Sequence, residues 1–318
     1  MNKVTLLEFF ADWCSACKAQ DPILEELERD IGHKVDIIKI GLTENKDIFD
    51  EYEINATPTM FLVRNNNILK KYVGVTSKDE LESAINIAYR PETTLFMLMS
   101  VDGKISTGDT DVLDVDNDLS KIIGIKEGLQ QYYNLEKQTD LFSLNTGRVF
   151  AKIGINEKAD EPKKLPVSFV VIDNKPHLIK HGVLYLAKKV KNLIIATTNR
   201  SHPAKLLKKE FNNIHVLEYE NAIDFTDLFV KMKHEFGADK LTVQSGGTLN
   251  ATLIREGLID RIMFVVFPAL VGGKNTSTVM DGESLHTSEE LNKIKTLEFI
   301  QAKPLENSYL LLEYRVKN

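Results

Sequence analysis

The sequence predicts two consecutive α/β domains, and three observations lead to this fold class. Short apolar runs typical of strands alternate with helical patterns along all 318 residues, as in sheets that carry helices on both faces. A chain of this length has room for two domains with separate cores. One short segment, Arg90-Pro91-Glu92, has the composition of a linker. We therefore expect a first domain over 1–90 and a second domain over 91–318.

The first domain is predicted to have the element order β-α-β-α-β-β-α. Apolar residues at strand or helix spacing mark each element, and Ser77 is a suitable N-cap for the last helix. A turn at Asn65-Asn66-Asn67 is expected to join the last two strands into a hairpin. The predicted elements are a strand over 3–10, a helix over 15–31, a strand over 35–40, a helix near 45–52, strands over 60–63 and 68–74, and a helix over 77–89.

Both cysteines of the chain, Cys14 and Cys17, lie three residues apart where the first strand gives way to a helix. This C-x-x-C spacing at a strand-to-helix junction is typical of a thiol–disulfide catalyst. The partial positive charge of the helix N-terminus stabilises a thiolate at Cys14, the expected nucleophile. Cys17, one turn into the helix, is placed to resolve a mixed disulfide. A structural zinc site would need four ligands, and the sequence has no second cysteine pair or paired histidine spacing to supply them.

With these features the first 90 residues resemble thioredoxin. Trp13 precedes the cysteine motif, and Ala56-Thr57-Pro58-Thr59 resembles the loop in which that family places a cis-proline facing the dithiol. Glu8 falls where thioredoxins have a buried carboxylate that exchanges protons with the second cysteine, and Lys39 falls where they often have a lysine beside it. The resemblance implies a minimal thioredoxin fold and catalytic roles for Glu8 and Pro58 besides the two cysteines.

The second domain is predicted to be a mostly parallel sheet with flanking helices, because strands and helices alternate over most of its length. The acidic stretch over 109–118 is expected to be a solvated loop, since it lacks the glycine and the closing glutamate of a calcium loop. His177 and His181 are expected to be ordinary surface histidines. The predicted strands cover 95–99, 141–144, 167–172, 192–197, 214–217, 240–244, 262–267 and 308–316. The predicted helices cover about 119–135, 181–190, 203–211, 224–236 and 248–256.

A pair of glycines follows the strand that ends near residue 244, in the segment Ser245-Gly246-Gly247-Thr248. At such a strand-to-helix turn, backbone N–H groups can approach a phosphate, and the helix N-terminus adds a favourable potential. We expect a side chain introduced at Gly247 to enter the phosphate path. Many α/β connections use glycine only for its backbone freedom, so the spacing alone leaves ligand binding and a plain turn as alternatives.

Three stretches of the second domain occur in the order found in a known reductase family. They are 99–105, 246–250, and 257–260 with its continuation 268–273. Through them residues 94–316 resemble the dihydrofolate-reductase-like domain of riboflavin-pathway reductases, the C-terminal module of the bifunctional deaminase–reductase. The resemblance implies NADPH as cofactor, with Gly246, Gly247 and Thr248 at its phosphates.

The same resemblance assigns roles to five further residues. Thr146 matches the threonine of the family's cofactor loop, Thr197 and Thr198 are assigned to the adenosine side of the cofactor, and Asp102 is assigned to the substrate. Gln244 stands where these reductases generally carry a glutamate that contacts the substrate. A glutamine can neither ionise nor act as a general acid. We therefore expect Gln244 to contact a substrate other than the riboflavin intermediate.

The expected function is that of a two-domain oxidoreductase. The first domain would exchange thiols and disulfides through Cys14 and Cys17, with a disulfide-bearing protein as a partner. The second would transfer a hydride from NADPH to a small heterocyclic or sugar-phosphate substrate. As an alternative, the second domain binds its ligand without turnover and the thioredoxin domain is a redox-sensing or partner-binding module.

Composition limits the remaining function classes. The net charge is −6 and no basic block occurs, so nucleic acid is not an expected partner. No run approaches the roughly 20 apolar residues of a membrane span. Because no cysteine is left for a structural disulfide, we expect a reducing cytoplasm. No metal site is expected, and we expect a homodimer formed through the second domain.

Overall fold

The computed structural model describes residues 4–64 and 67–317. The chain divides into two compact units, one that ends at Arg90 and one that covers Pro91–Lys317. The predicted turn at Asn65-Asn66 lies outside the described residues, although the strands on either side of it form an antiparallel pair. None of the helices in the described part of the chain has the length and apolar composition that a bilayer crossing requires.

The first unit is one four-stranded sheet with helices on both faces. The strand order is β2-β1-β3-β4, with β1 parallel to β2 and antiparallel to β3. This confirms the fold class predicted for the N-terminal part of the chain. The elements are β1 Val4–Phe10, α1 Ser15–Ile31, β2 Val35–Gly41, α2 Lys46–Glu51, β3 Thr59–Arg64, β4 Asn67–Val73 and α3 Lys78–Ala88.

The position of α1 follows from the spacing of its apolar residues. Leu24, Leu27 and Ile31 lie on one helical face and are buried against Val4 and Leu6 of β1. Fully burying a side chain of this size stabilises the fold by about 1.5–3 kcal/mol. This packing fixes the N-terminus of α1 at the carboxyl end of β1, which is where the cysteine motif lies.

The second unit contains the remaining elements. The helices are α4 Val115–Asp118, α5 Gln130–Glu136, α6 Gly147–Lys152, α7 Lys180–Lys189, α8 Ala204–Leu207, α9 Phe225–His234 and α10 Gly247–Arg255. The strands are β5 Glu92–Ser100, β6 Phe142–Thr146, β7 Ser168–Ile172, β8 Asn192–Thr197, β9 Ile214–Glu218, β10 Lys240–Val243, β11 Arg261–Phe267, β12 Thr296–Pro304 and β13 Leu310–Lys317. Short 3₁₀ turns cover Leu119–Lys121, Ile155–Glu157, Ser288–Lys293 and Glu306–Ser308.

All nine strands of this unit that the structure describes form one sheet, in the order β12-β13-β11-β5-β10-β6-β7-β8-β9. The run from β11 to β9 is parallel, and only β13 and β12 are antiparallel. This confirms the predicted mostly parallel sheet. Although β10 follows β9 in sequence, it lies between β5 and β6. In open α/β sheets, ligands bind beyond the carboxyl ends of the strands at such a change of strand order.

Several elements differ from the sequence prediction. No helix was expected at α6, and the helix expected over 203–211 covers only Ala204–Leu207. The helix predicted over 119–135 is broken after Lys121 and resumes only at Gln130. Gly124 has a left-handed φ of 88°, and a Cβ on Gly128 would lie 2.5 Å from the Tyr309 ring. Both glycines therefore serve a turn that lets the ring approach the backbone. Strand β12 was not predicted; its alternation of polar and apolar residues is interrupted at Ile300, where the pairing with β13 shifts register between Phe299 and Gln301.

Candidate active sites

Cys14 is the N-cap residue of α1, and Cys17 lies in the first turn of that helix. The two are joined by a disulfide, with their Cα atoms 5.3 Å apart. The backbone N–H of Cys17 donates a hydrogen bond to Cys14 Sγ at 3.0 Å. The same N–H can stabilise a thiolate on Cys14 once the pair is reduced. Cys14 is half-buried and Cys17 is buried, so Cys14 is the sulfur that a partner can reach.

The loop that contains Pro58 faces this pair of cysteines. Cys14 Sγ lies 3.4 Å from the carbonyl oxygen of Thr57, and the Thr57–Pro58 peptide bond is cis. The N–H of Gly74 donates a 2.8 Å hydrogen bond to the Pro58 carbonyl, which ties this loop to the end of β4. Trp13 is 72% exposed. Together these residues form an open surface around Cys14 on which an extended peptide can lie.

Glu8 is a buried carboxylate on β1 whose side chain is 1% exposed. Within the described residues neither of its oxygens accepts a hydrogen bond, and Lys39 Nζ lies 3.5 Å from Oε2. Burial raises the pKa of the Glu8 carboxyl, and the nearby ammonium of Lys39 only partly opposes this. A carboxyl group with a raised pKa takes up and releases a proton at a higher pH than an ordinary carboxyl group does.

In the second unit, a cleft of about 1070 Å³ opens at the carboxyl ends of β6 and β10. It therefore lies where the strand order changes, as expected for a ligand site in this type of sheet. Of the site residues predicted in this unit, the structure brings five together along the cleft: Thr146, Gln244, Gly246, Gly247 and Thr248.

The two glycines of the turn differ in their surroundings. A Cβ on Gly246 would meet nothing within 4 Å, whereas a Cβ on Gly247 would lie 2.2 Å from the carbonyl oxygen of Thr278 and 2.6 Å from Asp281 Oδ2. The expectation that a side chain at Gly247 enters the phosphate path is therefore corrected. That position packs against the protein's own backbone, and Gly246 is the glycine beside open space in the cleft.

The N-terminus of α10 is open to a ligand. Gly246 is its N-cap and supplies no side-chain acceptor. In the described chain, no protein acceptor is found for the N–H groups of Gly247, Thr248 and Leu249, which begin the helix. The turn is rigid because Asp281 N–H donates to the Gly247 carbonyl at 3.0 Å. Free N–H groups on a rigid turn at a helix N-terminus suit the phosphate groups of a dinucleotide.

Thr146 ends β6 and is the N-cap of α6, where its hydroxyl accepts a hydrogen bond from the Val149 N–H at 3.3 Å. The Asn145 side-chain oxygen in turn accepts from the Thr146 N–H at 2.8 Å. Both residues line the cleft. The sequence thus places a polar, capped turn beside the glycine turn, because β6 and β10 are adjacent in the sheet.

Three predicted residues do not line this cleft. Thr197 is fully buried and its hydroxyl donates to the Asp173 carbonyl at 2.7 Å, while the Thr198 N–H donates to a neighbouring asparagine side chain at 2.9 Å. Asp102 accepts hydrogen bonds from the hydroxyl of Ser100 and from the N–H groups of residues 271 and 272. These bonds lower the pKa of Asp102 to about 2. The structure gives all three residues positions that stabilise loops.

Gln244 is the centre of a hydrogen-bond cluster in the cleft. Its Oε1 accepts from the Ser143 hydroxyl at 3.2 Å. Its Nε2 donates to Glu136 Oε1 at 2.7 Å and to the Tyr132 hydroxyl at 3.3 Å. Burial raises the pKa of Glu136, and the bond from Gln244 partly opposes this rise. Sequence reasoning found Gln244 but missed Glu136, because the contact between them joins residues that are distant in the sequence.

The acidic stretch over 109–118 is more than a solvated loop, since several of its residues line the cleft. Asp111 pairs with Arg148 at 2.8 Å, and Asp116 accepts from the Tyr133 hydroxyl at 2.9 Å. Within residues 4–64 and 67–317, no group of three or more His, Cys, Asp or Glu side chains is arranged to hold a metal ion. In the sequence, the run of aspartates was the only sign that this stretch forms a wall of the cleft. It did not indicate which residues the aspartates contact.

One of the histidines expected to be ordinary surface residues also borders the cleft. His177 Nδ1 lies 3.0 Å from Asp173 Oδ1, and the buried His202 Nε2 lies 3.1 Å from Asp173 Oδ2. Burial opposes ionisation of Asp173, but the hydrogen bond from His202 and the bonds from residues 177 and 178 hold its pKa below the usual value. The imidazole of His177 is therefore fixed in orientation at the edge of the cleft.

Comparison with known proteins finds two family matches in this chain. A thioredoxin family model matches residues 1–87, and a model described as RibD C-terminal domain matches residues 91–310. Thioredoxin of Bacillus subtilis (strain 168) is 34% identical over 83 residues, which are 26% of this chain and 80% of that protein. Thioredoxin-T of Drosophila melanogaster is 37% identical over 76 residues, or 24% of this chain. The match spans about half, 48%, of that relative's length.

A solved structure, RibD of Acinetobacter baumannii in form 1, is similar in fold. It superposes with a TM-score of 0.52 at 12% identity, over 92% of this chain and 76% of that one. At this identity the likeness shows the fold alone. The family matches go further, because one covers more than half of the chain. The chain thus belongs to the RibD C-terminal domain family and carries a thioredoxin domain before it, and both homologies indicate an oxidoreductase.

Proposed function

We propose that the protein is a two-domain oxidoreductase in which each unit carries out a two-electron reaction. The first unit, 1–90, reduces disulfides of partner proteins, and the second, 91–318, is an NADPH-dependent reductase of a small heterocyclic or sugar-phosphate compound. The observation that carries the second assignment is the cleft at the carboxyl ends of β6 and β10, bordered by the open N-terminus of α10.

In the first unit, the thiolate of Cys14 attacks one sulfur of the substrate disulfide. That S–S bond breaks, a mixed disulfide forms, and the leaving sulfur takes a proton. Cys17 then attacks Cys14 Sγ, which re-forms the Cys14–Cys17 disulfide and releases the second substrate thiol. The partner gains two electrons and two protons, and the dithiol is oxidised. We propose that Glu8 accepts the proton that Cys17 loses, and that the Pro58 loop aligns the substrate peptide beside Cys14.

In the second unit, the residues present fit a dinucleotide phosphate. Gly246 leaves open space where a side chain would stand, and three N–H groups of α10 lack an acceptor among the described residues. We propose that Gly246, Gly247 and Thr248 hold the phosphates of NADPH and that Thr146 borders them. NADPH, when bound, would supply the hydride. The protein's own part is to exclude water from the cleft and to orient the substrate by Gln244 and its partners.

A direct test is to mix the purified protein with NADPH and candidate substrates, and to follow the loss of absorbance of the reduced nicotinamide. Pyrimidines and pterins, with and without a ribose phosphate, form the panel. Turnover with one class of compound supports the assignment. No binding of NADPH at millimolar concentration would overturn it.

A second candidate function is favoured by Gln244, which cannot supply a proton. In this alternative the second unit binds its ligand without turnover, and the thioredoxin domain senses redox state or binds a partner. A single measurement distinguishes the two functions. NADPH binding without oxidation across the whole panel indicates the binding module, and catalytic oxidation indicates the reductase.

We further propose that the chain forms a homodimer through the second unit and works in a reducing compartment such as the cytoplasm. The support for the dimer is β12, an edge strand on which Leu297 and Phe299 are 42% and 60% exposed. Exposed apolar side chains on an unpaired strand edge favour pairing with another chain. Phe299→Lys should shift the protein from dimer to monomer in sedimentation analysis.

A further inference from the structure

The position of Gln244 points to a second residue that recognises the substrate. We propose that Glu136, held in place by the side-chain amide of Gln244, is the carboxylate that binds the substrate in the cleft, and that the group it binds presents N–H donors. This inference rests on the proposed function of the second unit and specifies the chemistry of its substrate. Gln244 is then a positioning residue.

Gln244 has no N–H donor left for a ligand. Its nitrogen donates to both Glu136 and Tyr132, and its oxygen accepts from the Ser143 hydroxyl. The carboxylate of Glu136 can only accept, so the NH₂ group of the amide must face it. The orientation of Gln244 is therefore fixed by Glu136, and the bond at 2.7 Å fixes Glu136 in return.

Glu136 has acceptor capacity that the described part of the protein does not use. Its Oε1 receives the bond from Gln244, but Oε2 accepts no hydrogen bond from any residue that the structure describes. The side chain is half-buried and lines the cleft. A carboxylate withdrawn from bulk water requires donors. A ligand with N–H groups in the cleft would supply them.

The wall of the cleft that carries Glu136 is held in place by aromatic stacking and hydrogen bonds. One turn before it on α5, Tyr132 stacks on Phe96 with ring centroids 5.2 Å apart and planes 2° apart. The adjacent Tyr133 donates to Asp116, a second carboxylate that lines the cleft. Two carboxylates on a rigid aromatic wall favour a ligand group that donates hydrogen bonds and disfavour an anionic one.

The test uses two probes of similar shape. The probe 2,4-diaminopyrimidine presents the N–H donors of two amino groups, whereas 2,4-dimethoxypyrimidine has no N–H donor. Binding of each to the full chain with saturating NADPH is measured by calorimetry for wild type, Glu136→Gln, Gln244→Glu and the double variant that exchanges the two side chains. Glu256→Gln is the matched control, because burial also raises the pKa of Glu256 but this residue does not line the cleft.

We expect wild type and the Glu256→Gln control to prefer the diamino probe at least about tenfold, the size of one hydrogen bond to a charged group. Glu136→Gln should remove this preference. The double variant should restore it to within about threefold of wild type, because it again has one carboxylate and one amide; a purely structural role for Glu136 would not predict this rescue. The inference fails if Glu136→Gln keeps the preference or the exchange does not restore it.

NADPH affinity, followed separately by fluorescence, distinguishes this failure from failure of the proposed function. If the wild-type protein does not bind NADPH, the reductase assignment is overturned. If NADPH binds equally to all variants while the probe preference does not depend on residue 136, only the inference about Glu136 is overturned.

Discussion

The two glycines of the α10 turn give a sharp test of the cofactor site. Gly246 has an extended backbone, with φ −74° and ψ 157°, that valine adopts without strain, and its Cβ would meet nothing within 4 Å. Gly246→Val should therefore fold, with a stability about 0.5–1 kcal/mol below that of wild type because valine is a poorer N-cap residue than glycine. Its side chain would occupy the space that we assign to the cofactor, so NADPH binding should be lost.

The size of this loss can be expressed as a melting temperature. At a ligand concentration of about 100 times Kd, binding stabilises the folded state by about 2.7 kcal/mol. For a unit of this size, each kcal/mol corresponds to about 2–4 °C. Wild type should therefore gain about 5–11 °C with NADPH. If Gly246→Val weakens binding a hundredfold, the gain falls to about 1–2 °C.

Gly247→Val is the contrasting variant, and it should lose stability whether or not NADPH is present. Its side chain would collide with the carbonyl oxygen of Thr278, 2.2 Å from the Cβ position, and overpacking of this kind costs about 1–3 kcal/mol or more. Its melting temperature should fall without any ligand. The assay is thermal unfolding with and without NADPH. A wild-type thermal shift in Gly246→Val would refute the assignment of the phosphates to this turn.

Three other predictions test residues at both sites. Cys14→Ser should abolish reduction of insulin disulfides, whereas Cys17→Ser should trap mixed disulfides visible by mass spectrometry; full activity of Cys14→Ser would show that the nucleophile is another group. Because the folded-state pKa of Glu8 is raised, wild type should lose stability relative to Glu8→Gln as pH rises from the ordinary value of 4.5 through the raised one, in denaturant titrations. Asp102→Asn should lower the melting temperature near neutral pH and leave NADPH affinity unchanged, and its deficit should vanish as pH falls from 3.8 towards about 2. A loss of NADPH affinity in Asp102→Asn would instead indicate that Asp102 contributes to the ligand site.

The elements that sequence reasoning predicted well are those whose apolar spacing is undisturbed by tertiary contacts. The α1 helix was predicted with its observed bounds because its buried residues recur at helical spacing. The region 119–135 was misjudged because its pattern is equally periodic, yet Gly128 is needed for contact with Tyr309, which is distant in sequence. Such a contact has no local signal. Strand β12 was missed because its polar–apolar alternation is interrupted at Ile300, where the pairing with β13 shifts register.

At the sites, residues at element junctions were predictable and those brought in by the fold were not. Cys14 and Gly246 lie at strand-to-helix turns, which sequence motifs reveal. Asp102 also follows a strand, but its carboxylate accepts hydrogen bonds from the N–H groups of residues 271 and 272 and does not line the cleft. Glu136 could not be found, because its role depends on Gln244, 108 residues away.

The structure changes the interpretation of Gln244, because Glu136 lies beside it. In the sequence, glutamine at this position indicates the loss of a carboxylate from the substrate site. In the structure, the amide lies 2.7 Å from a carboxylate in the same cleft. A glutamate at 244 would place two negative charges at that distance, and one of them would have to take up a proton. Glutamine avoids this second charge, and its hydrogen bond to Glu136 partly opposes the burial that raises the pKa of that carboxyl. Its presence is therefore compatible with a working reductase that carries its carboxylate on α5.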